Sequence, residues 1–292
     1  MSESLVRDLA RCFRRRRIAP KFHYISNKQS ELWLRIHSEY APADIMVDPY
    51  LESALHIPDN IQALISLGCG AGEKEISIIK ELNTSVVFIP TDISMPLVLT
   101  AAKNAASCDI KTGVPLVFDL ANDSNLDDFL RKQFKANRLF TCFGILPNFA
   151  PADILPQIYR LINGSDLLLL SANLAPSGIE SILPQYDNNL TKIWLGQLLV
   201  DNAVYGGKID VRAIETDLHH WIQADYIFES DIEIKISGET ISFNVGEKLE
   251  LFVSYRYTLQ SLESTLNGFG IQIENSFISE NGEEGVFLCS TQ

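Results

Sequence analysis

The chain has no apolar run near the roughly 20 residues that a membrane-crossing helix needs. Its first thirty residues also lack the apolar segment of a secretion signal. No membrane association is expected. Cysteines are few, at positions 12, 69, 108, 142 and 289. An odd, scattered set without paired spacing excludes a disulfide framework or a zinc site, and free thiols in a reducing cytoplasm are expected. Positive charge is scarce as well: 24 Lys and Arg stand against 37 Asp and Glu, a formal net charge of −13. Such a surface repels phosphate backbones, so nucleic acid is not expected as a partner. The contrary feature is Arg11 followed by Arg14-Arg15-Arg16-Arg17, read as a solvated helix end rather than an anion site. What is left, 46% apolar and 21% charged over 292 residues, suffices for one large core or two modest ones.

One further absence is informative. Leu67-Gly68-Cys69-Gly70-Ala71-Gly72-Glu73-Lys74 follows the apolar run 63–66 and precedes Ile76, Ile78, Ile79 and Leu82 at helical spacing. Strand, glycine turn and helix are the parts of a nucleotide site in a Rossmann-like sheet. A dinucleotide site wants a third glycine where Glu73 stands, which counts against NAD and FAD. Gly68, Gly70 and Gly72 instead make Gly-x-Gly-x-Gly, the spacing of S-adenosylmethionine sites. A second apolar strand, 86–91, ends in Asp92. A carboxylate there can accept from both ribose hydroxyls, or it can simply cap the helix that Ser94 and Pro96 begin.

From about residue 61 the chain alternates strand and helix. Strands are expected at 63–68, 86–92, 114–119, 138–144 and 166–172, and helices at 73–82, 96–107, 124–135 and 151–162. Pro176, Gly178 and Pro184 then punctuate a stretch that becomes helical around Leu195, Leu198 and Leu199, and a β-rich segment covers 226–257. A helix at 259–266 and strands at 271–278 and 285–289 close the chain, as a sixth strand and a reversed seventh close a class I methyltransferase sheet. The expected architecture is an α/β fold: a Rossmann-like class I methyltransferase sheet with a second, smaller α+β substrate-binding domain. The methyltransferase domain is assigned to 46–175 and 256–292, and the substrate domain to 1–45 and 176–255. The active site is expected where they meet, at the carboxyl ends of the strands.

Read in order, several segments resemble the histidine N-alpha-methyltransferases of ergothioneine biosynthesis. They are Pro20-Lys21-Phe22-His23-Tyr24 with Ser30-Glu31-Leu32-Trp33, then Glu39-Tyr40-Ala41-Pro42, the glycine turn with Glu73-Lys74, and Pro90-Thr91-Asp92-Ile93-Ser94. Asn148-Phe149-Ala150-Pro151, Tyr186-Asp187, Gly246-Glu247-Lys248-Leu249 and Ser254-Tyr255-Arg256-Tyr257 complete the series. The resemblance implies that Gly68, Gly70, Lys74 and Asp92 hold S-adenosylmethionine, with Asp119 near the adenine. It implies that Asn148 binds the amino-acid head of the substrate and that Tyr186 anchors its carboxylate. Tyr24 would stand over the amine, where an aromatic face favours the cation formed on methylation. Ser254 would sit at the side-chain end of the pocket. Read without the family, Asn148 is a turn residue and Tyr24, Tyr186 and Ser254 are ordinary packing.

The departures carry as much information. The family places a glutamate two residues before the serine to read imidazole, and that position is Phe252 here. The second tyrosine of Pro-Glu-Tyr-Tyr-Pro is Ala41, the following Thr-Arg-Thr-Glu is Ala43-Asp44-Ile45-Met46, and the acid before the first glycine is Ser66. A site that loses the polar half of its reader loses its discrimination. The substrate is therefore expected to be an amino acid or close derivative other than histidine, with an aromatic or larger side chain. The reaction is a transfer to a neutral amine, in which positioning is the main catalytic contribution and no strong base is required. Burial against Tyr24 and Phe252 would disfavour the ammonium, and His219 and His220 are read as surface or structural. Two alternatives remain open: methylation of oxygen or another atom in a secondary-metabolism intermediate, and a non-catalytic subunit that only binds the cofactor.

Overall fold

The computed structural model describes residues 3–40, 43–123, 125–135, 137–216 and 219–291. In chain order the helices are α1 (Glu3–Arg14), α2 (Asn27–Tyr40), α3 (Ala43–Ala54), α4 (Glu73–Glu81), α5 (Met95–Ser107), α6 (Leu126–Arg131), α7 (Pro151–Leu161), α8 (Ile179–Tyr186), α9 (Asn189–Asp201) and α10 (Leu259–Gly268). The strands are β1 (Ala63–Leu67), β2 (Val87–Asp92), β3 (Leu116–Val117), β4 (Arg138–Cys142), β5 (Leu167–Asn173), β6 (Gly207–Glu215), β7 (His220–Phe228), β8 (Ile232–Ile236), β9 (Glu239–Phe243), β10 (Lys248–Arg256), β11 (Ile271–Ile278) and β12 (Glu284–Thr291). The chain forms two compact units, residues 1–36 with 177–254 and residues 37–176 with 255–292. Among the described residues no helix is long and apolar enough to cross a membrane.

The larger unit is built on a seven-stranded sheet in the order β11-β12-β5-β4-β1-β2-β3. Its strands are parallel except β12, which runs antiparallel to both β5 and β11. Every residue of β1 and β4 is buried, as a parallel strand covered on both faces requires. Strand alternation divides these residues between two cores. Ala63, Ile65, Leu67, Phe140 and Cys142 join one with α7 and α10, while Leu64 and Leu139 join the other with α4 and α5. β1 pairs β2 on one side and β4 on the other. The order therefore reverses at β1, the switch point where an open α/β sheet leaves a crevice at its carboxyl edge.

The smaller unit contains the three-stranded sheet β10-β7-β6 and the hairpin β8–β9. The basic run serves this unit. Arg16 lies 3.8 Å over the Phe243 ring and donates to the Ser242 carbonyl at 2.7 Å. Arg17 pairs with Glu250 at 2.7 Å and Arg14 with Glu239 at 3.4 Å. These contacts join the end of α1 to the hairpin and to β10.

Three local features differ from the expectation. The β-rich segment begins at Gly207 rather than 226, because β6 pairs β7 along its whole length. β6 has mostly half-buried residues on both faces, so its hydrophobic alternation is weak. Pro184 lies inside α8 rather than before a helix. Its ring has a helical φ and costs one hydrogen bond, a loss opposed by the burial of Ile179 and Ile182. The helix expected at 124–135 is only the six residues of α6. Ala41 and Pro42, part of the amino-terminal motif, lie outside the described residues, as do the side chains of Tyr40, Ala43, Asp44, Ile45 and Met46.

Candidate active site

The glycine turn leaves β1 and enters α4 at the switch point. Gly68, Gly70 and Gly72 all have positive φ, at 80°, 51° and 76°, where a side chain is strained. Gly68 and Cys69 donate their N–H groups to the Thr91 carbonyl at 2.9 Å each, tying the turn to β2. A Cβ on Gly68 would lie 2.4 Å from Ile145 Cδ1. Gly68→Ala should therefore destabilise the protein by the left-handed penalty of about 1–2 kcal/mol plus this clash. Adding Ile145→Ala removes the clash and should leave only the backbone part, as urea melts of the single and double variants would measure.

Asp92 ends β2 directly beside this turn and is 8% exposed. One carboxylate oxygen accepts from Gly70 N at 3.1 Å and the other from Ser94 N at 2.8 Å. Helix capping falls to Ser94, whose hydroxyl accepts from Leu97 N at 3.4 Å. Asp92 thus holds the glycine turn instead of capping α5. Burial raises its pKa to about 6, against the lowering effect of the backbone N–H donors. On the next strand, Phe118 donates its N–H to the Asp92 carbonyl at 2.9 Å, which places Asp119 alongside. The Asp119 carboxylate accepts from Ala121 N at 3.2 Å and Asn122 Nδ2 at 2.8 Å.

Ser66, where the resemblance led to the expectation of an acid, donates its hydroxyl to Glu75 Oε1 at 2.7 Å, and Thr141 donates to the same oxygen at 3.1 Å. A fully buried carboxylate is therefore present behind the turn after all, reached from α4 rather than from β1. Its pKa is raised by burial. Glu75 was legible in principle, since it shares the apolar stripe of α4 with Ile78, Ile79 and Leu82. The thiol beside it, Cys69, is pushed well above its usual pKa by burial and then by Asp92, which removes it as a nucleophile.

Lys74 points to the other side of the turn. Its ammonium donates to Tyr50 Oη at 2.6 Å and Glu284 Oε1 at 3.2 Å. Tyr50 donates to the same glutamate oxygen. Ser171 accepts from Gly144 N at 2.9 Å. The Gly144 carbonyl in turn accepts from Asn148 Nδ2 at 2.9 Å. Asn148 thereby closes the short 3₁₀ turn Leu146–Asn148.

In the smaller unit Tyr24, Tyr186, Phe252 and Ser254 come together, along with Trp33 and Trp194, to which the sequence assigned no site role. Trp33 meets Tyr24 edge-on with centroids 6.0 Å apart, and Tyr24 meets Trp194 at 5.5 Å. Trp194 meets Phe252 edge-on at 5.7 Å, and Phe252 stacks on Tyr186 at 5.9 Å and 26°. Tyr186 Oη lies 3.1 Å from Ser254 Oγ, and Ser254 is buried. Trp194 is oriented by donating its indole N–H to the His23 carbonyl at 3.1 Å. The His23 ring is fixed at 2.7 Å from the Leu251 carbonyl and kept neutral by burial, which lowers its pKa to about 4. His220 stands apart on β7, 3.2 Å from Glu215.

The switch-point turn, the acid at the end of β2 and the reversed last strand define a Rossmann-like methyltransferase domain. The chain belongs to the histidine-specific, S-adenosylmethionine-dependent methyltransferase family, which it matches over residues 5–291. Comparison with curated proteins gives no match. Among solved structures, the PH0226 protein of Pyrococcus horikoshii OT3 shares the fold, at 14% identity and a TM-score of 0.50 over 89% of this chain and 98% of that one. An S-adenosylmethionine-dependent methyltransferase of Clostridium acetobutylicum ATCC 824 aligns at 12% identity and a TM-score of 0.48, over 89% of this chain and 97% of that one. The magnesium protoporphyrin IX methyltransferase of Synechocystis PCC 6803 aligns at 13% and 0.48, over 91% of this chain and 95% of that one. The protein is thus an enzyme whose cofactor is S-adenosylmethionine. The residues present fit that cofactor: a turn whose three glycines add no side chains of their own, and a buried carboxylate beside it.

Proposed function

We propose that the enzyme methylates the α-amino nitrogen of an amino acid or close derivative whose side chain is aromatic or larger and less polar than imidazole. The observation that carries this reading is Phe252, held between Tyr186 and Trp194 at the position where the family reads imidazole with a carboxylate. A phenyl ring offers neither charge nor hydrogen bond, while it presents apolar surface to another ring.

Bound cofactor supplies an activated methyl group on a sulfonium. In this reading Gly68, Gly70 and Lys74 hold it, Asp92 accepts from its ribose hydroxyls, and Asp119 lies near the adenine. Asn148 and Tyr186 take the amino-acid head of the substrate, and Ser254 meets its side-chain end. Tyr24, with Trp194 and Trp33 at its ring, offers an aromatic face to the nitrogen that becomes positive. Bound there, the cofactor would supply its methyl group to a neutral amine, and these residues would orient that amine and leave its proton to water. S-adenosylhomocysteine is the second product.

Incubating the enzyme with labelled cofactor and each free amino acid in turn tests the reading. Methylation of phenylalanine, tyrosine or tryptophan, or a derivative of one, is expected. A second reading, histidine itself, has the family description behind it and is established if histidine alone is labelled. Phe252→Glu should raise the rate on histidine relative to phenylalanine by at least about tenfold, since a polar reader discriminates far more strongly than an apolar wall.

A further inference from the structure

Two residues that share no motif with the glycine turn control its lysine. Tyr50 on α3 and Glu284 at the start of β12 are both buried, and they are 234 positions apart. Glu284 lies opposite Asn173, the last residue of β5, and so at the carboxyl edge of the sheet. Tyr50 is a hub: its oxygen accepts from Lys74 and its hydrogen goes to Glu284. Its ring is fixed edge-on against Phe143 at 4.8 Å. Burial, and then Glu284, push the Tyr50 pKa well up, which keeps the phenol a donor.

Glu284 is costly where it stands. Its Oε2 is buried with no hydrogen-bond partner, and its side chain is 6% exposed. Removing a carboxylate from water in this way is unfavourable unless a cation is held against it, and an apolar residue would usually stabilise the fold as well or better. The cation is Lys74, still 22% exposed. An ammonium has three N–H donors. Tyr50 and Glu284 engage two of them, which fixes the direction of the third. The anionic group of the cofactor is the carboxylate of its methionine part, so that carboxylate is the natural partner of the aimed N–H.

We propose that Tyr50 and Glu284 are positioning residues of the cofactor site, holding the Lys74 ammonium so that its remaining N–H meets the cofactor carboxylate. The inference rests on the reading above that Lys74 contacts the cofactor. Calorimetric titration with S-adenosylhomocysteine and with 5′-methylthioadenosine, which lacks the amino-acid part, tests both. Tyr50→Phe keeps the ring in its packing, and Glu284→Gln keeps the shape. Each should weaken S-adenosylhomocysteine about tenfold, the scale of a misdirected charged hydrogen bond, and change 5′-methylthioadenosine less than about twofold. Lys74→Met should weaken S-adenosylhomocysteine at least as much. If Lys74→Met leaves its affinity unchanged, the reading of Lys74 fails and the inference with it. If Lys74→Met weakens binding while Tyr50→Phe and Glu284→Gln do not, or weaken both ligands equally, the inference alone is overturned.

Discussion

Replacing Arg138 by methionine should lower the unfolding free energy by about 3–5 kcal/mol, the cost of stranding a buried charge when its partner is removed. Arg138 opens β4 with 0% exposure. Its guanidinium donates to both oxygens of Asp166 at 3.1 Å from Nε, to Asp127 at 2.9 Å from Nη1, and to the Leu161 carbonyl at 3.2 Å from Nη2. Its own backbone N–H goes to Asp166 at 3.1 Å. Asp166 is 2% exposed, so the single substitution leaves an uncompensated carboxylate in the interior. Arg138→Met with Asp166→Asn should recover part of the loss, because the amide carries no charge to strand and its oxygen can still accept from the backbone N–H of residue 138, now at 3.1 Å. Urea melts of the three variants measure both effects. Cofactor affinity below the melting range should not change, since this network lies where β4 begins, at the edge of the sheet away from the glycine turn.

Asp92→Ala should weaken S-adenosylhomocysteine binding by at least about a hundredfold. In the proposed reading it removes a charged acceptor for the ribose, each such bond being worth about 1.5–3 kcal/mol, and it strands the buried N–H groups of Gly70 and Ser94. Asp92→Asn keeps an acceptor and should fall between. The pH dependence has a definite sign. With a pKa raised to about 6 from 3.8, Asp92 contributes stability that is fully present below 3.8 and is lost as pH rises through about 6. The carboxylate is the form that accepts from hydroxyls. Affinity for S-adenosylhomocysteine should therefore tighten as pH rises through about 6, while the Asp92→Asn variant shows no such step. A calorimetric pH series on both proteins decides this.

The parts of the site that the sequence displayed are those in which neighbours along the chain are neighbours in space. The glycine turn between β1 and α4 is one, and Asp92 at the end of an apolar strand is another. Glu75 is only half of that kind: its place on the buried stripe of a helix is local, but its partners Ser66 and Thr141 come from two neighbouring strands. β6 was missed because its residues are half-buried on both faces, which blurs the alternation that identifies a strand. Trp194 was passed over because, beside Leu195 and Leu198, it reads as one more core residue on α9.

By itself the sequence determined the alternation of strands and helices from residue 61, the glycine spacing at Gly68, Gly70 and Gly72, and the presence of a phenyl ring, not a carboxylate, at Phe252. Each follows from local rules: residue periodicity, the φ that favours glycine, and the chemistry of one side chain. Only the tertiary structure decided that Ser66 is backed by Glu75, that Asp92 holds the turn while Ser94 caps α5, and that Lys74 answers to Tyr50 and Glu284. Those contacts join strands that are adjacent in the sheet or helices laid across it, and their partners are as far as 234 positions apart. Chain periodicity carries no record of such pairs, because they form only when the sheet order brings their elements together.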